Sequence, residues 1–338
     1  MDNNWLESLR TTGFDADFES TGNSGVDAQR VANGTIIAPL SHLGIIQVQG
    51  DDAIGFLHNL LSNDVSSLGE NELRCAALCN PKGRMLANFL LWRDAGVITL
   101  QLSADLLPII QKKLSMYVLR SKVKLGDAGK SLACIGLAGP QAIALLQQQG
   151  LPQPGPMQQQ AFENGTVLGL GDRRFEIVIA VGKAAALWQA LCVDAQPVGI
   201  AAWRGLDIAA GMPLITAATM EEFVPQMVNY ELIGGVSFKK GCYPGQEIVA
   251  RTQHLGKIKR RMYRAHTIMD KLAAGTAVYA PETGEQACGA VVMSAPSVQG
   301  GLDLLLVAQS SCIAAGEIHL GNPSGPVPRI LPLPYVVE

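Results

Sequence analysis

Short apolar runs alternate with amphipathic stretches along the chain from about residue 44 onward. The predicted strands of this region are 45–48, 73–78, 85–92, 97–102 and 123–125. Two stretches with a helical period of 3.6 lie between them, at 53–61 and 106–119. The pattern therefore predicts the order βαββ(β)αβ.

A similar order recurs in the next part of the chain. The predicted strands there are 132–137, 166–170 and 175–181, and the predicted helices are 140–149 and 183–192. Alternating units with split crossovers favour an α+β fold made of ferredoxin-like modules over a doubly wound parallel sheet.

The two ends of the chain follow other patterns. Residues 1–33 contain six acids and two arginines with weak periodicity, which predicts a short helix and a mobile lead-in. After Arg260 the helical signals stop, and short apolar runs bounded by Gly and Pro predict a small closed or sandwiched β-domain. We therefore expect a lead-in at 1–33, an α+β region at 34–258 and a β-domain at 259–338.

Composition adds the class of protein to this picture. With 338 residues, 48% of them hydrophobic and 16% charged, the chain can build two or three cooperative units. The N-terminus lacks a secretory signal, and no apolar run approaches the roughly 20 residues that span a bilayer. Seven scattered cysteines do not form a secreted disulfide framework. We expect a cytoplasmic protein with free thiols and no membrane partner.

The charge is unevenly distributed. Overall it is −3, but residues 239–264 hold eight Lys or Arg and one acid, a local balance of +7 that leaves −10 for the remainder. A basic segment on an acidic body indicates an anionic ligand or partner at that segment. A solvated loop and strand face accounts for the same composition equally well.

Several familiar motifs fail on spacing. The segment 126–131 ends like a phosphate-binding loop, but Lys124 stands where the first glycine is required. Cys75 and Cys79 have no further cysteine pair to complete a cluster site, so we expect ordinary core thiols and no stable cluster held by this chain. The histidines show no metal-binding spacing, and no metal site is predicted.

The loop around Cys242 has the clearest chemistry. Its basic and glycine neighbours are Lys239, Lys240, Gly241, Gly245 and Arg251. Nearby cations stabilise a thiolate, and a glycine-lined loop can leave the sulfur accessible. A nucleophilic or redox thiol and an inert cysteine in a tight turn are both compatible with this composition.

Three further residues match a flat heteroaromatic ligand. The amide of Gln246 beside the carboxylate of Glu247 suits the N–H donors and carbonyl of a reduced pterin. Trp203 offers a plate on which such a ring can stack, although a helical Trp also serves as ordinary core.

In these motifs the chain closely resembles the bacterial YgfZ family, whose signature is K-G-C-Y-x-G-Q-E. The matching residues are Phe223 to Asn229, Gly234 to Glu247 and Val249 to Arg251, supported by Ser62 to Val65, Lys82 to Met85, Leu137 to Pro140, Ala210 to Pro213 and Pro332 to Tyr335. The resemblance covers most of the chain from about Ile36 to the end.

The resemblance implies a fold similar to the T protein of the glycine cleavage system, with α+β modules around a central folate channel and a C-terminal β-barrel. It implies tetrahydrofolate as cofactor and a role in assembly or repair of iron–sulfur clusters in client enzymes, including enzymes that thiolate tRNA.

The resemblance also distributes roles over residues of this chain. It makes Cys242 the working thiol, which exchanges electrons or a sulfur ligand with a client. Its motif residues here are Lys239, Lys240, Gly241, Tyr243, Gly245, Gln246, Glu247 and Arg251. We expect Cys242 and the two lysines to face the partner. The residues expected at folate are Trp203, Gln226, Asn229 and Leu43, and a second family tryptophan is replaced around His42 and Leu43.

Two alternatives remain. A true aminomethyltransferase needs an acid near the transferring nitrogen, but the corresponding strand, 82–88, contains none. A tRNA-binding module would use the basic segment, which has few interleaved aromatics beyond Tyr243 and Tyr263, so direct tRNA binding is not expected. The favoured role is an accessory protein rather than a turnover enzyme.

Overall fold

The computed structural model describes residues 3–171, 173–254 and 258–337. Its helices are α1 (Asn3–Thr11), α2 (Ser24–Asn33), α3 (Ala53–His58), α4 (Leu107–Val118), α5 (Ala142–Gln148), α6 (Val181–Leu191), α7 (Ile200–Ala209), α8 (Gln246–His254) and α9 (Ser310–Ala315). Its strands in the first half are β1 (Ile36–Pro39), β2 (Leu43–Gln49), β3 (Arg74–Cys79), β4 (Met85–Asp94), β5 (Val97–Ser103), β6 (Lys124–Asp127), β7 (Leu132–Ala138), β8 (Gln158–Phe162) and β9 (Gly165–Gly171). The remaining strands are β10 (Arg174–Ala180), β11 (Gln196–Pro197), β12 (Arg260–Thr267), β13 (Ala277–Tyr279), β14 (Gly289–Pro296), β15 (Leu302–Gln309), β16 (His319–Leu320) and β17 (Arg329–Leu331).

The chain divides into two compact units, and each is discontinuous in sequence. The first contains residues 1–56, 65–74 and 89–203, and the second contains 57–64, 75–88 and 204–338. This interleaving differs from the contiguous division expected from the sequence. In the second unit, hydrogen bonds such as Ser62 Oγ to the Gly235 carbonyl and Asn88 Nδ2 to the Pro213 carbonyl join segments that are distant in sequence.

The first unit contains a six-stranded sheet in the order β11-β1-β7-β10-β9-β8. Alternate residues of β7, among them Ile135 and Leu137, belong to a buried core with Trp5 and Trp188. The rings of those two tryptophans meet edge to face, with centroids 5.6 Å apart. The same unit holds β5, which pairs with β2, while β2 pairs with β6.

The N-terminal residues pack against this core instead of forming the expected mobile lead-in. Trp5 and Leu9 of α1 are buried, because they are part of the same apolar cluster. Asn23 caps α2 by accepting from the N–H groups of Gly25 and Val26. The carboxylate of Asp27 is also buried and accepts from the Gly199 N–H at 3.0 Å. These contacts fix a segment whose weak periodicity gave no sign of them.

The second unit contains the β-rich C-terminal region. Its sheet has the order β16-β13-β14-β15-β12-β17 and forms a curled half-barrel. Apolar side chains such as Val291, Leu304 and Leu306 fill its core. The mixed α+β fold with a β-rich C-terminus is confirmed, while α8 and α9 were not predicted because both are short.

None of the helices in the described ranges is both long enough and apolar enough to cross a bilayer.

Candidate functional site

The loop that carries Cys242 is held between two fixed points. At its C-terminal end Gly245 adopts a φ of +81° and begins the turn into α8. A Cβ at this position would lie 2.3 Å from the carbonyl oxygen of Asn80, so only glycine allows the turn between β3 and β4 to approach this closely. The Asn80 side chain in turn accepts from the N–H groups of Lys82 and Arg84. The loop therefore rests on a rigid hairpin turn.

Lys240 is the second fixed point. Its side chain is buried, and its ammonium donates to the carbonyl of His58 and, at 2.7 Å, to the carbonyl of Leu61. It also lies 4.9 Å from the centroid of the Tyr243 ring, a cation–π contact. Burial lowers the Lys240 pKa to about 8, although the charges of Asp64 and of a Cys242 thiolate act in the opposite direction.

The sequence predicted that both lysines of the motif face a partner, but only one of them points outward. Lys239 is exposed, whereas Lys240 points inward because the last carbonyls of the α3 region need a donor. Lys240 anchors the loop rather than presenting a charge at the surface.

Cys242 is exposed, and it contrasts with the other six cysteines, all within the described ranges, which are buried or half-buried. Burial raises the pKa of Cys75, Cys79 and Cys134 to about 12. It raises the pKa of Cys192 and Cys288 to about 11. Because the thiolate is the reactive form, these groups are chemically quiet and Cys242 is the accessible thiol.

Tyr243 is buried directly beside the exposed cysteine. Desolvation, followed by the influence of Cys79, raises the pKa of its phenol above the usual range. The ring is therefore a neutral packing group that covers the Lys240 ammonium.

His58 and Asp64 lie beside this loop, although the sequence analysis did not predict them as site residues. The imidazole Nδ1 of His58 lies 3.1 Å from Oδ1 of Asp64. Its Nε2 lies 4.0 Å from the position of a Cβ built on Gly241, one residue before Cys242. The two residues are about 180 positions away in sequence, so no spacing rule could connect them with the loop. The only sequence signal was the short match at 62–65.

The first turn of α8 carries the residues that follow the cysteine. Glu247 is exposed in that turn, where a carboxylate stabilises the positive end of the helix. Arg251 is exposed one turn further along, and Ile248 exposes 38% of its surface between them. Gln246 is half-buried and donates its N–H to the Tyr243 carbonyl at 3.1 Å. Residues 255–257 of the basic segment lie outside the described residues.

Gln226 and Asn229 are fully buried in the second unit. Gln226 donates its amide to the Val249 carbonyl at 2.7 Å, and its Oε1 has no hydrogen-bond partner in the described part of the chain. Asn229 uses both ends of its amide on Met262, donating to the carbonyl at 2.8 Å and accepting from the N–H at 3.3 Å. Gln226 therefore keeps a free acceptor, while Asn229 is occupied in attaching β12.

Trp203 is fully buried in the first unit. Its benzo ring covers Gly136, where a Cβ would come within 2.6 Å of the ring atoms. The guanidinium of Arg174 lies 5.9 Å from the ring centroid. The indole N–H is buried, and no acceptor reaches it from the residues that the structure describes.

Leu43 lines a cavity of about 350 Å³ in the first unit. The walls include Trp5, Leu40, Leu107 and Cys134. Asp127 and Lys130 of the rejected phosphate-loop motif belong to the same lining. Trp203, Gln226 and Asn229 are not among the lining residues.

The strand in which an aminomethyltransferase would need its acid holds Asn88 instead. Its amide is buried, donates to the Pro213 carbonyl at 2.7 Å and accepts from the Ile215 N–H at 2.8 Å. Both ends of this side chain are thus used in holding the segment that follows α7.

The chain is similar to known proteins in both sequence and fold. The family described as the GCVT N-terminal domain matches residues 12–167. The chain is 31% identical over 313 residues to the tRNA-modifying protein YgfZ of Enterobacter sp. (strain 638). The alignment covers 88% of this chain and 93% of that protein. It is 31% identical over 255 residues to the protein of the same name from Colwellia psychrerythraea. That alignment covers 74% of this chain and 78% of the other protein.

A solved structure identifies the fold. The aminomethyltransferase T of the glycine cleavage system from Bartonella henselae superposes with a TM-score of 0.73 at 19% identity, covering 98% of this chain and 97% of that one. At this identity the likeness concerns the fold alone. The curated relatives go further, because they are matched above 30% identity over most of their length, and the chain therefore belongs to the YgfZ family.

Proposed function

We propose that this protein is an accessory factor in tRNA modification that acts on client proteins through the thiol of Cys242. The observation that carries the proposal is the exposed cysteine on an anchored loop, in a chain whose other thiols are buried or half-buried. The names of the relatives, tRNA-modifying protein YgfZ, support the link to tRNA modification.

The clients in this proposal are enzymes that carry iron–sulfur clusters, including those that thiolate tRNA, and the protein assists assembly or repair of the clusters. Such a role needs a thiol that can reach a second protein and undergo thiol–disulfide exchange with it. The proposed location is the cytoplasm, where reducing conditions keep thiols such as these seven free.

Tetrahydrofolate is the proposed cofactor, and the buried polar groups support it. In each unit one expected folate residue keeps a buried polar atom without a partner in the described ranges: the indole N–H of Trp203 and Oε1 of Gln226. A reduced pterin offers carbonyl acceptors and N–H donors that satisfy such groups, and burying them unsatisfied is costly. Bound folate would supply a reduced pterin able to carry one-carbon groups.

A fluorescence titration tests the cofactor. We expect tetrahydrofolate to quench tryptophan emission saturably in the wild type and to quench it much less in Trp203→Phe. Trp188→Phe is the matched control, because Trp188 is equally buried but already donates to Thr12 Oγ1 at 3.2 Å. Wild-type protein without saturable quenching contradicts folate binding.

Complementation tests the function. In a strain that lacks the corresponding gene, we expect Cys242→Ser to leave tRNA thiolation at the level of the empty strain. Cys192→Ser, which changes a half-buried thiol, should restore thiolation like the wild type. Restored thiolation with Cys242→Ser would refute a role for this thiol.

A glycine-cleavage assay with a lipoyl carrier protein separates this proposal from the aminomethyltransferase alternative. We expect no turnover, since Asn88 is engaged at both ends of its amide and supplies no acid. Measurable turnover reverses the ranking of the two functions.

A further inference from the structure

Two cysteines outside the Cys242 loop lie together in the core of the C-terminal sheet. Cys288 comes directly before β14 and Cys312 lies in α9, and both are fully buried members of the apolar cluster of that sheet. Their side chains hydrogen-bond to each other. Two thiols in such contact need only a small shift to reach the length of a covalent S–S bond, about 2.05 Å.

The backbone holds the two cysteines in this position. The Cys288 carbonyl accepts from the Gln309 N–H at 3.1 Å, and the next residue, Gly289, pairs with Ala308 of β15. Gln309 is the N-cap position of α9, and Cys312 follows it by about one helical turn. The strand pairing and the first turn of α9 therefore bring together two thiols that are well separated in sequence.

The pair lies just beneath the protein surface. Residues 284–287, directly before Cys288, are exposed, and so is Ser311, directly before Cys312. The helix α9 has six residues, and a helix this short opens locally with ease because most of its backbone groups belong to its two ends. A small oxidant can therefore reach the two sulfurs, although a second protein cannot.

We propose that Cys288 and Cys312 form a reversible disulfide in the presence of a hydroperoxide, as a second redox site that is independent of the role proposed for Cys242. One sulfur attacks the O–O bond of hydrogen peroxide and becomes a sulfenic acid, and its thiol proton goes to the departing hydroxide, which leaves as water. The second sulfur attacks the sulfenic sulfur and forms the S–S bond. The sulfenic hydroxide leaves with the second thiol proton, again as water.

The reaction is balanced in atoms and electrons. Two thiols and one molecule of hydrogen peroxide give one disulfide and two molecules of water, and the two electrons lost by the sulfurs reduce the O–O bond. An external dithiol reverses the oxidation by thiol–disulfide exchange.

Burial slows this reaction but does not prevent it. Burial, followed by the influence of Cys312, raises the pKa of Cys288 to about 11, so little thiolate is present near neutral pH. The second step is intramolecular, and groups held in contact react as if they were at very high concentration. Once one sulfur is oxidised, we therefore expect ring closure to precede attack by a second peroxide.

The disulfide would fasten α9 to the sheet. Ser310, the first residue of α9, already donates its N–H to the Lys259 carbonyl at 2.9 Å, and its hydroxyl lies 3.1 Å from the Tyr263 hydroxyl of β12. A bond at Cys312 completes a connection from the start of β12 through α9 to β14. Because a cross-link restricts the unfolded chain, we expect the oxidised protein to unfold at a higher urea concentration than the reduced protein.

Peroxide oxidation of the full chain carrying Cys242→Ser tests the proposal, because this variant lacks the exposed thiol that would compete for the oxidant. Catalase then removes the peroxide, and the denatured protein is labelled with N-ethylmaleimide. No Lys or Arg lies between the two cysteines, so one tryptic peptide, 272–329, carries both. Its disulfide form lacks two hydrogens and takes up no label. Chymotrypsin, which cleaves after Leu304, converts it into two linked peptides.

We expect most of this peptide to be in the disulfide form after oxidation, and all of it to take up label after treatment with dithiothreitol. Cys75 and Cys79 are the matched control, since they are buried in the same unit but the Cys75 thiol bonds to Tyr230. They should take up label before and after oxidation. Full labelling of peptide 272–329 after peroxide treatment overturns the proposal.

Oxidation in urea separates a pairing set by the fold from a chance pairing. In the unfolded chain the shortest loop closes most readily, so the Cys75–Cys79 link should dominate there, whereas the Cys288–Cys312 link should dominate in the folded protein. The same pattern of links in both samples overturns the proposal. Cys312→Ser should remove the loss of two hydrogens from peptide 272–329, and a lower urea midpoint after oxidation would show that the native contact is not prepared for the bond.

Discussion

The Cys242 loop and the surroundings of Trp203 both contain residues that the sequence singles out, but they expose them in opposite ways. Around Cys242 the supporting groups, Lys240 and Tyr243, are buried and the thiol is at the surface. Around Trp203 the ring itself is fully buried, against Gly136 and near the Arg174 guanidinium. The first arrangement leaves the sulfur open to other molecules, whereas the second leaves no face of the ring in contact with solvent.

The difference shows that burial must be assigned atom by atom before a motif is given a role. Lys239 and Lys240 are adjacent and chemically identical in sequence, yet one is solvated and the other holds two backbone carbonyls. A motif residue can support the site without reacting itself. Substitution of such a residue lowers the stability of the protein and does not remove a reacting group.

Thiol reactivity gives the largest expected contrast between the two regions. Cys134 lies on β7 two residues before Gly136, and burial raises its pKa from 9.0 to about 12. At pH 8 a thiol with that pKa has about a thousandth of the thiolate of an ordinary cysteine. We expect Cys242 to be alkylated at least about a thousandfold faster than Cys134, measured by site-resolved mass spectrometry. Comparable native rates would erase the distinction between an open and a closed region.

Adding one methyl group to each region comes next. In Gly245→Ala the new Cβ meets a backbone oxygen at 2.3 Å, and the φ of +81° is strained for alanine. We expect the free energy of unfolding to fall by about 2–4 kcal/mol, measured by denaturant titration. In Gly136→Ala the clash is with the Trp203 side chain at 2.6 Å, which repacking relieves in part, and a loss of about 1–3 kcal/mol is expected.

Gly241→Ala serves as the control for both substitutions. Its added Cβ meets no atom closer than His58 Nε2 at 4.0 Å. A change larger than about 1 kcal/mol in this variant would mean that the loop tolerates no side chain anywhere, and the special status of Gly245 would be lost.

The neighbouring lysines supply the third test. Lys240→Met leaves the carbonyls of His58 and Leu61 without their donor, and we expect a loss of about 1–3 kcal/mol in the free energy of unfolding. Lys239→Met, at an exposed position, should change it by less than about 0.5 kcal/mol. Equal effects of the two substitutions would contradict the inward orientation of Lys240.

The pH dependence of this pair sharpens the test. The Lys240 pKa is lowered from 10.5 to about 8 in the folded protein, so the unfolded chain binds more protons between those values. Stability rises with pH wherever the unfolded state holds more protons. The advantage of wild type over Lys240→Met should therefore grow from about pH 8 toward 10.5, as seen in denaturation curves at fixed ionic strength.

The smallest effect concerns the carboxylate of Glu247. It is exposed in the first turn of α8, where it interacts with the helix dipole. Glu247→Gln should lower the free energy of unfolding by about 0.3–1 kcal/mol and leave tetrahydrofolate quenching unchanged. Loss of quenching in this variant would show that the Glu247 carboxylate binds the pterin, as the Gln246–Glu247 pair in the sequence predicted.

Much of the fold followed from periodicity, because each unit buries regular apolar faces. The strands at 45–48 and 97–102 lie inside β2 and β5, and the helix at 106–119 corresponds to α4. The packing of α1 did not follow, since it depends on Trp5 and Leu9 reaching a core built largely from residues 133–195. Nor did the interleaved units, because the contacts that join their segments, such as those of Ser62 and Asn88, connect residues more than 100 positions apart.

The site was predictable where chemistry is local and not where it is assembled. Cys242 and its glycines are contiguous, so the motif alone identified them. The inward turn of Lys240 depends on carbonyls of residues 58 and 61, and the His58–Asp64 pair reaches the loop only in three dimensions. The sequence predicted a ligand-binding amide at Asn229, and only the fold shows that this amide makes two hydrogen bonds to Met262.

The isolation of the exposed thiol has a consequence for the lifetime of any covalent complex. Thioredoxin-like proteins release a bound client with a second, resolving cysteine, but the remaining thiols of this chain are buried or half-buried. A mixed disulfide at Cys242 must therefore be cleared from outside, by the client's own second cysteine or by a small thiol such as glutathione. In the proposed role, a client that lacks a second cysteine would be released only by a small thiol, so without such thiols it becomes a handle for capturing the complex intact.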